Sequence, residues 1–324
     1  MSRKAITRML VAACLAAAPI PSACAQDYPS RPITLVVPYP PGGGNDLIAR
    51  IVAAQMSSAL GQPIVVENRG GAGGTIATRQ VAHAAGDGYT LMVATSSLAI
   101  NPSIYQNVGY DPRHDFSAIG LMAASQNVLL VHPSVEAASV TELVARAKAA
   151  PGRLTFASTG GGNSVQLAAE LFAAMADVKL TQVPYKGNAP ALTDLLGGHV
   201  DIMFSPLPAA VGLVQDNKLR ALAVTGARRA PLFPALPTIA EAGLPGYESE
   251  LHYGIVAPAG VPRPIVDKLN AALRAALTVP EVARRLATDG AEVAASTPDA
   301  YAADIAAEEA KWSPIVRKAG IKAD

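Results

Sequence analysis

Cysteine is nearly absent from this chain: Cys14 and Cys24 are its only two, both within the first 25 of 324 residues. Beyond them no disulfide, cysteine-bound metal or thiol nucleophile can form. Charge is sparse too, at 16% of residues with a net value of +1. No polybasic arm or acidic tail points to nucleic acid or an anionic membrane. Aromatics make up 5%, yet hydrophobic residues reach 50%, which suits a packed core and not a disordered chain. No apolar run attains the ~20 residues of a membrane span. At roughly 150 residues per domain, the length suggests two domains.

Other absences remove chemistries. The five histidines, His83, His114, His132, His199 and His252, lie far apart, and none has a metal-ligand partner four residues on. There is no Gly-x-Ser-x-Gly elbow and no recognisable Ser/His/Asp arrangement, so a hydrolase has no support. Neither an enzyme nor a cofactor is expected, and no metal.

The first segment carries an address. Arg3, Lys4 and Arg8 precede an apolar run from Met9 to Ala18, which Pro19 and Pro21 break. Ala23-Cys24-Ala25 has the small-x-small form of a signal-peptidase site, so residues 1–25 read as a cleaved signal peptide and the destination as the periplasm. Val11-Ala12-Ala13-Cys14 leaves lipid attachment open, although the apolar stretch before it is short.

Beyond Ala25 the hydrophobic pattern alternates between two periods. Short β-branched runs (33–37, 64–66, 89–95, 127–131, 154–158, 182–185, 200–204, 219–224, 251–257) are strands. Stretches of helical spacing (46–60, 75–85, 140–150, 164–176, 190–196, 265–277, 281–288, 299–319) are helices. Such alternation predicts an α/β fold with a largely parallel sheet. Residues 231–245, rich in proline, read as an ordered loop, and Trp312 as a packing anchor.

The informative feature is a repeat: strand, Gly-Gly-Gly-Asn, helix. It occurs at Gly42-Gly43-Gly44-Asn45-Asp46 and, after Thr159, at Gly160-Gly161-Gly162-Asn163-Ser164. Each copy sets backbone N–H groups at a helix start, where about half a positive charge resides. Glycine lets that backbone approach a ligand closely, and Asn45 or Asp46, like Asn163 or Ser164, suits an N-cap. A carboxylate between two such starts needs no Arg or Lys. Four charge-assisted hydrogen bonds at about 1.5–3 kcal/mol each bracket the ~8 kcal/mol of a micromolar site before ordering costs. Glycine serving only turn geometry is the competing reading. Nucleotide binding fails: no Lys-Ser/Thr follows either turn, and Leu47 and Val165 stand where the dinucleotide pattern needs glycine. Tyr39 and Tyr185 flank the turns as phenol donors or packing groups. Ser96, Ser97 and Asn101 follow a strand end, where ligands of open α/β sheets lie. Lys186 is an exposed cation or a partner for a distal carboxylate.

With these turns in place the chain resembles the Bug family, extracytoplasmic solute receptors of tripartite tricarboxylate transporters. The resemblance rests on Tyr28-Pro29-Ser30-Arg31-Pro32-Ile33, Val36-Val37-Pro38 with the first turn, Asp87-Gly88-Tyr89-Thr90-Leu91, Asn101-Pro102, Asp111-Pro112, Val183-Pro184-Tyr185-Lys186-Gly187 and Pro237-Thr238 with Glu241-Ala242-Gly243. It implies a two-lobed type II periplasmic-binding-protein (Venus flytrap) fold. Lobe one would comprise 27–125 plus 251–324, and lobe two 126–250. The ligand would be a small organic carboxylate (di- or tricarboxylate, or aromatic), and the partners inner-membrane permease subunits. The receptor would be a monomer. An alternative is a sensing receptor that feeds a two-component kinase. Three positions depart from the family pattern: Pro41 for a frequent Ala, Ser205 where many members carry Asp, and His252 for a frequent Trp. The loss of that Asp puts an amino-acid ligand in doubt.

Overall fold

A computed structural model describes residues 28–42, 44–159, 163–185, 187–288 and 290–322. The signal-peptide segment lies outside them. In chain order the elements are β1 (Ile33–Val37), α1 (Gly44–Leu60), β2 (Ile64–Asn68), α2 (Thr75–Ala82), β3 (Thr90–Thr95), α3 (Ser97–Ile104) and β4 (Phe116–Val131). Next come α4 (Val140–Ala149), β5 (Thr155–Ser158), α5 (Ser164–Ala176), β6 (Thr181–Pro184), α6 (Asn188–Leu196), β7 (Ile202–Pro206), α7 (Leu207–Gln215) and β8 (Arg220–Val224). The chain ends with β9 (Glu250–Pro258), α8 (Arg263–Leu277), α9 (Pro280–Thr288), β10 (Ala291–Val293) and α10 (Pro298–Ala319).

The strands order as β2-β1-β3-β9-β4-β7-β5-β6, with β8 and β10 also paired to β4. The sheet is mixed, which corrects the expectation of a largely parallel one. β1 pairs parallel with β2 and β3, and β5 with β6 and β7. Every pairing of β4 and β9 is antiparallel. The reason is topological: both strands arrive from long loops, and an antiparallel neighbour needs no crossover helix. β4 is also longer than its sequence suggests. Its first part, Phe116–Gln126, is rich in Ala, Ser and Gly, weak strand formers, and pairs with β9 from Pro258 back to Glu250. At Asn127 it changes neighbours and runs against β7 and β8.

Buried apolar residues gather on either side of that change. One cluster joins Ile33 and Leu35 of β1, Ile48 and Val52 of α1 and Leu269 and Leu273 of α8. Another joins Phe156, Phe172, Phe204, Trp312 and Val316, with the Phe172 and Phe204 ring centroids 5.8 Å apart. α10 serves both sides: Tyr301 and Ile305 pack with Met92 and Val256, while Trp312 and Val316 belong to the Phe172 group. Trp312 is 1% exposed and its indole N–H donates to Glu308 Oε2 at 3.0 Å.

Polar contacts tie the crossing point together. Gln126 Oε1 accepts the Gly226 N–H (2.9 Å), and Glu250 Oε1 accepts that of Ala227 (3.1 Å). His252 Nδ1 lies 3.0 Å from Asp304 Oδ2 on α10, and its Nε2 lies 3.8 Å from Glu250 Oε2. Burial alone would push the imidazole pKa down. The hydrogen bond to Asp304 and the nearby carboxylates of Glu250, Asp304 and Glu308 outweigh it, and the pKa rises to about 10. His252 is thus a fixed cation at neutral pH.

Two outcomes are expected. A folded-state pKa above the unfolded value of about 6.5 means that His252 contributes stability fully below that pH and loses it as pH rises through 10. Urea unfolding at pH 7 should show His252→Gln less stable than native by about 2 kcal/mol, with the gap narrowing at pH 10.5. Separately, a Cβ on Gly254 of β9 would collide with the buried Tyr301 ring. Gly254→Ala should cost about 1–3 kcal/mol, seen as a Tm lower by roughly 2–4 °C per kcal/mol.

Candidate functional site

The first turn is held from within. Asp46 is 3% exposed; its Oδ2 accepts the Gly42 N–H (2.9 Å), while its Oδ1 accepts from Asn68 Nδ2 (3.0 Å) and pairs with Arg50 Nε (3.0 Å). Burial would raise its pKa, but Arg50, the Gly42 amide and Asn68 together hold it below the usual carboxylate range. Asn68 also donates to the Tyr39 carbonyl (3.2 Å), so β2 fixes the strand end from the side. Gly42 sits at φ +84°, a left-handed geometry that glycine adopts without strain. The Tyr39 hydroxyl lies 3.0 Å from Thr95 Oγ1, joining the ends of β1 and β3.

The second turn is capped differently. Asn163 Oδ1 accepts the Gln166 N–H (3.1 Å), as an N-cap should, and its Nδ2 donates to Thr159 Oγ1 (2.5 Å). Asn127 Nδ2 donates to the Ser164 carbonyl (3.3 Å), tying the start of α5 to β4 where that strand changes neighbours.

One cavity of about 160 Å³ is lined by residues of both turns: Tyr39 and Asn45 from the first, Asn163 and Ser164 from the second. Ser96, at the end of β3, shares its wall with Thr95 and Ser97. Ser96 Oγ accepts the His252 N–H (3.2 Å), leaving its own proton to offer elsewhere. Ile100, Leu167, Leu251 and Trp312 add an apolar side, and Ser249 and Glu250 complete the lining. Among the described residues no Lys, Arg or His lines it. Glu250 also borders a neighbouring cavity of about 110 Å³ with His252 and Arg228. Burial would raise its pKa, but His252 and the Ala227 amide hold it below the ordinary value. Three larger depressions, of about 590 Å³ beside Lys148 and Glu170, about 460 Å³ beside Arg50 and Glu281, and about 810 Å³ beside Tyr28 and Arg31, gather no described residue of either turn. Size alone does not mark the site.

The other expected residues fall elsewhere. Gly42 donates its amide to Asp46. Gly44, Asp46 and Thr159 adjoin the cavity in sequence without lining it. Asn101 is buried and donates to the Gly73 carbonyl (3.1 Å), since one helical turn carries it away from the strand end. The Tyr185 hydroxyl donates to Asp194 Oδ2 (2.8 Å), and burial, then Asp194, pushes its pKa up to about 12. Ser205 is fully buried in β7, opposite Val128. Gly43, Gly160, Gly161, Gly162 and Lys186 lie outside the described residues. Of the lining that sequence reading missed, three residues had a local signal: Leu167 stands three residues after Ser164 and Ile100 three after Ser97, each on one helix face, and Thr95 directly precedes Ser96. Ser249, Glu250, Leu251 and Trp312 come together through the sheet crossing and α10, which no spacing along the chain encodes.

Comparison with known proteins agrees with this architecture. The chain is 37% identical to Protein BugT of Bordetella pertussis over 320 residues, 98% of this chain and 97% of that protein. Its structure matches that of the R. palustris protein Rpa4515 with adipate at a TM-score of 0.74 and 39% identity, covering 90% of this chain and 98% of the other. The periplasmic binding protein BugD matches at a TM-score of 0.72 and 37% identity, covering 91% and 100%. Residues 48–321 fit the tripartite tricarboxylate transporter family receptor, and the chain therefore belongs to that family, the Bug/TctC periplasmic binding proteins, which bind solutes and are not enzymes.

Proposed function

We propose that the cavity between the two helix starts captures one small organic carboxylate, mono-, di- or tricarboxylic or aromatic, for delivery to the permease subunits of a tripartite tricarboxylate transporter. The observation that carries this reading is the joint wall: Asn45 and Asn163, 118 positions apart in matching turns, line one space without a cationic side chain among the described residues. Hydroxyls of Tyr39, Ser96 and Ser164 supply neutral donors. The amides of Gly43, Gly44 and Gly160 to Gly162 complete the cradle in this proposal, and Ile100, Leu167 and Leu251 accept the hydrocarbon part. Adipate, present in the structure of a relative, is an acid of this class.

Lobes comprising 27–125 plus 251–324, and 126–250, would close over the acid, because a ligand favours the conformation that binds it best. The receptor acts as a monomer in the periplasm, exported by a cleaved segment 1–25.

Calorimetry with a panel of mono-, di-, tri- and aromatic carboxylates tests the proposal. At least one should bind in the micromolar range or tighter. Tyr39→Phe and Ser164→Ala should each weaken it about 5- to 20-fold, the loss of one hydrogen bond to a charged group. Lys148→Ala, in the outer groove, should leave it unchanged. Silence across the panel, or full affinity in both hydroxyl variants, would sink the reading.

A further inference from the structure

A cavity read as a carboxylate site has carboxylates of its own in and behind its wall. Glu250 is the one acidic residue among the described lining. Glu308 lies behind Trp312, another wall residue, and accepts its indole N–H at 3.0 Å; Asp304 stands one helical turn earlier on α10. An anion in the cavity feels these charges through space, whichever way their oxygens turn, and water-poor surroundings strengthen the effect. Glu308 has Lys311 Nζ at 3.9 Å. Glu250 and Asp304 share a single close cation: His252 Nε2 lies 3.8 Å from Glu250 Oε2 and Nδ1 3.0 Å from Asp304 Oδ2. Arg228 also borders the 110 Å³ cavity with Glu250, but its side chain is 85% exposed and reaches Glu292 at 4.0 Å, so solvent and salt screen most of its charge.

Resting on the carboxylate reading, we infer that His252 is a positioning residue for ligand charge: without touching the acid, it cancels Glu250 and Asp304 from behind the wall and so lets an anion occupy the cavity. Its place fits this role. The His252 N–H donates to Ser96 Oγ on the wall (3.2 Å), and Leu251, between it and Glu250, lines the cavity. The imidazolium itself borders only the smaller cavity on the far side of Glu250. It is therefore close enough to offset the wall's negative charge and not placed to form a direct ion pair with the ligand. A neutral side chain at position 252 would leave Glu250 and Asp304 without their shared cation. Charge balance makes a prediction that packing does not. A network that only held the fold would lose affinity whichever member was removed, whereas removing the cation and removing the wall acid should here act in opposite directions.

Titration calorimetry at pH 7 and low salt, with butyrate, succinate, adipate, tricarballylate and benzoate, provides the test. For the acid that native protein binds most tightly, His252→Gln should weaken binding about tenfold, and Glu250→Gln should tighten it about threefold or more. The double variant His252→Gln/Glu250→Gln should return to within about threefold of native, because it removes one charge of each sign. Native affinity in His252→Gln would overturn the inference, and so would unchanged or weaker binding in Glu250→Gln. Loss in both single variants with no recovery in the double would mark the network as structural and overturn it as well. Far-ultraviolet circular dichroism checks each fold; if His252→Gln does not fold, Glu250→Gln decides alone by the same criterion. Any of these overturning results, with an acid still bound by native protein, leaves carboxylate capture standing. No response of native protein to any acid removes both readings.

Discussion

The buried carboxylate of Asp46 is the interaction on which the site depends. It sits one residue beyond the glycines and asparagine of the first turn and gathers the Gly42 amide, the Asn68 side chain and the Arg50 guanidinium. A carboxylate in the first turn of a helix is favoured by the helix dipole. Its three partners add more than the dipole supplies and hold it ionised despite 3% exposure. The effect on geometry is larger than the effect on stability. Asp46 and the Tyr39 carbonyl are both anchored to β2 through Asn68, and Tyr39 and Asn45 line the cavity.

The same logic explains how two copies of one short motif come to differ. In the second turn no carboxylate follows the asparagine; Ser164 stands there instead, and Asn163 performs the capping itself. One turn therefore sets its asparagine on the wall beside a buried carboxylate, and the other sets a serine beside a capping asparagine. On the proposed reading a ligand lying between them would meet unlike groups at its two ends, which would set its direction in the cleft. Identical turns would bind a symmetric acid as well in either orientation, and the divergence of Asp46 and Ser164 would remove that degeneracy.

How much of this was legible along the chain depends on whether the signal is local. The helices that open after the two Gly-Gly-Gly-Asn motifs follow from residues within a few positions of one another, and sequence reading places them. β4 and the mixed sheet do not. Phe116–Gln126 carries few β-branched residues, and its strand state comes from pairing with β9 more than 120 positions away. The same distance hid Leu251 and Trp312 as cavity walls. Asn101 shows how far a local rule reaches. It follows a strand end, a good general place for ligand contacts, but α3 begins at Ser97 and turns Asn101 toward Gly73. A position read from sequence locates the element, and the helix phase decides which way the side chain points.

A cavity with no cationic side chain among its described residues is also suited to a receptor that must give its cargo up. A guanidinium or ammonium against a carboxylate in a water-poor cleft interacts strongly, and separating the two leaves a buried charge exposed to its loss. Backbone amides and hydroxyls are fixed dipoles. On the proposed reading they would stabilise the carboxylate while the cleft is closed, and water would replace their bonds one by one as it opens. The neighbouring cation His252, on β9, is already matched by Asp304 and Glu250. Its charge steadies the sheet crossing, and on the proposed reading recognition is left to groups that bind without trapping.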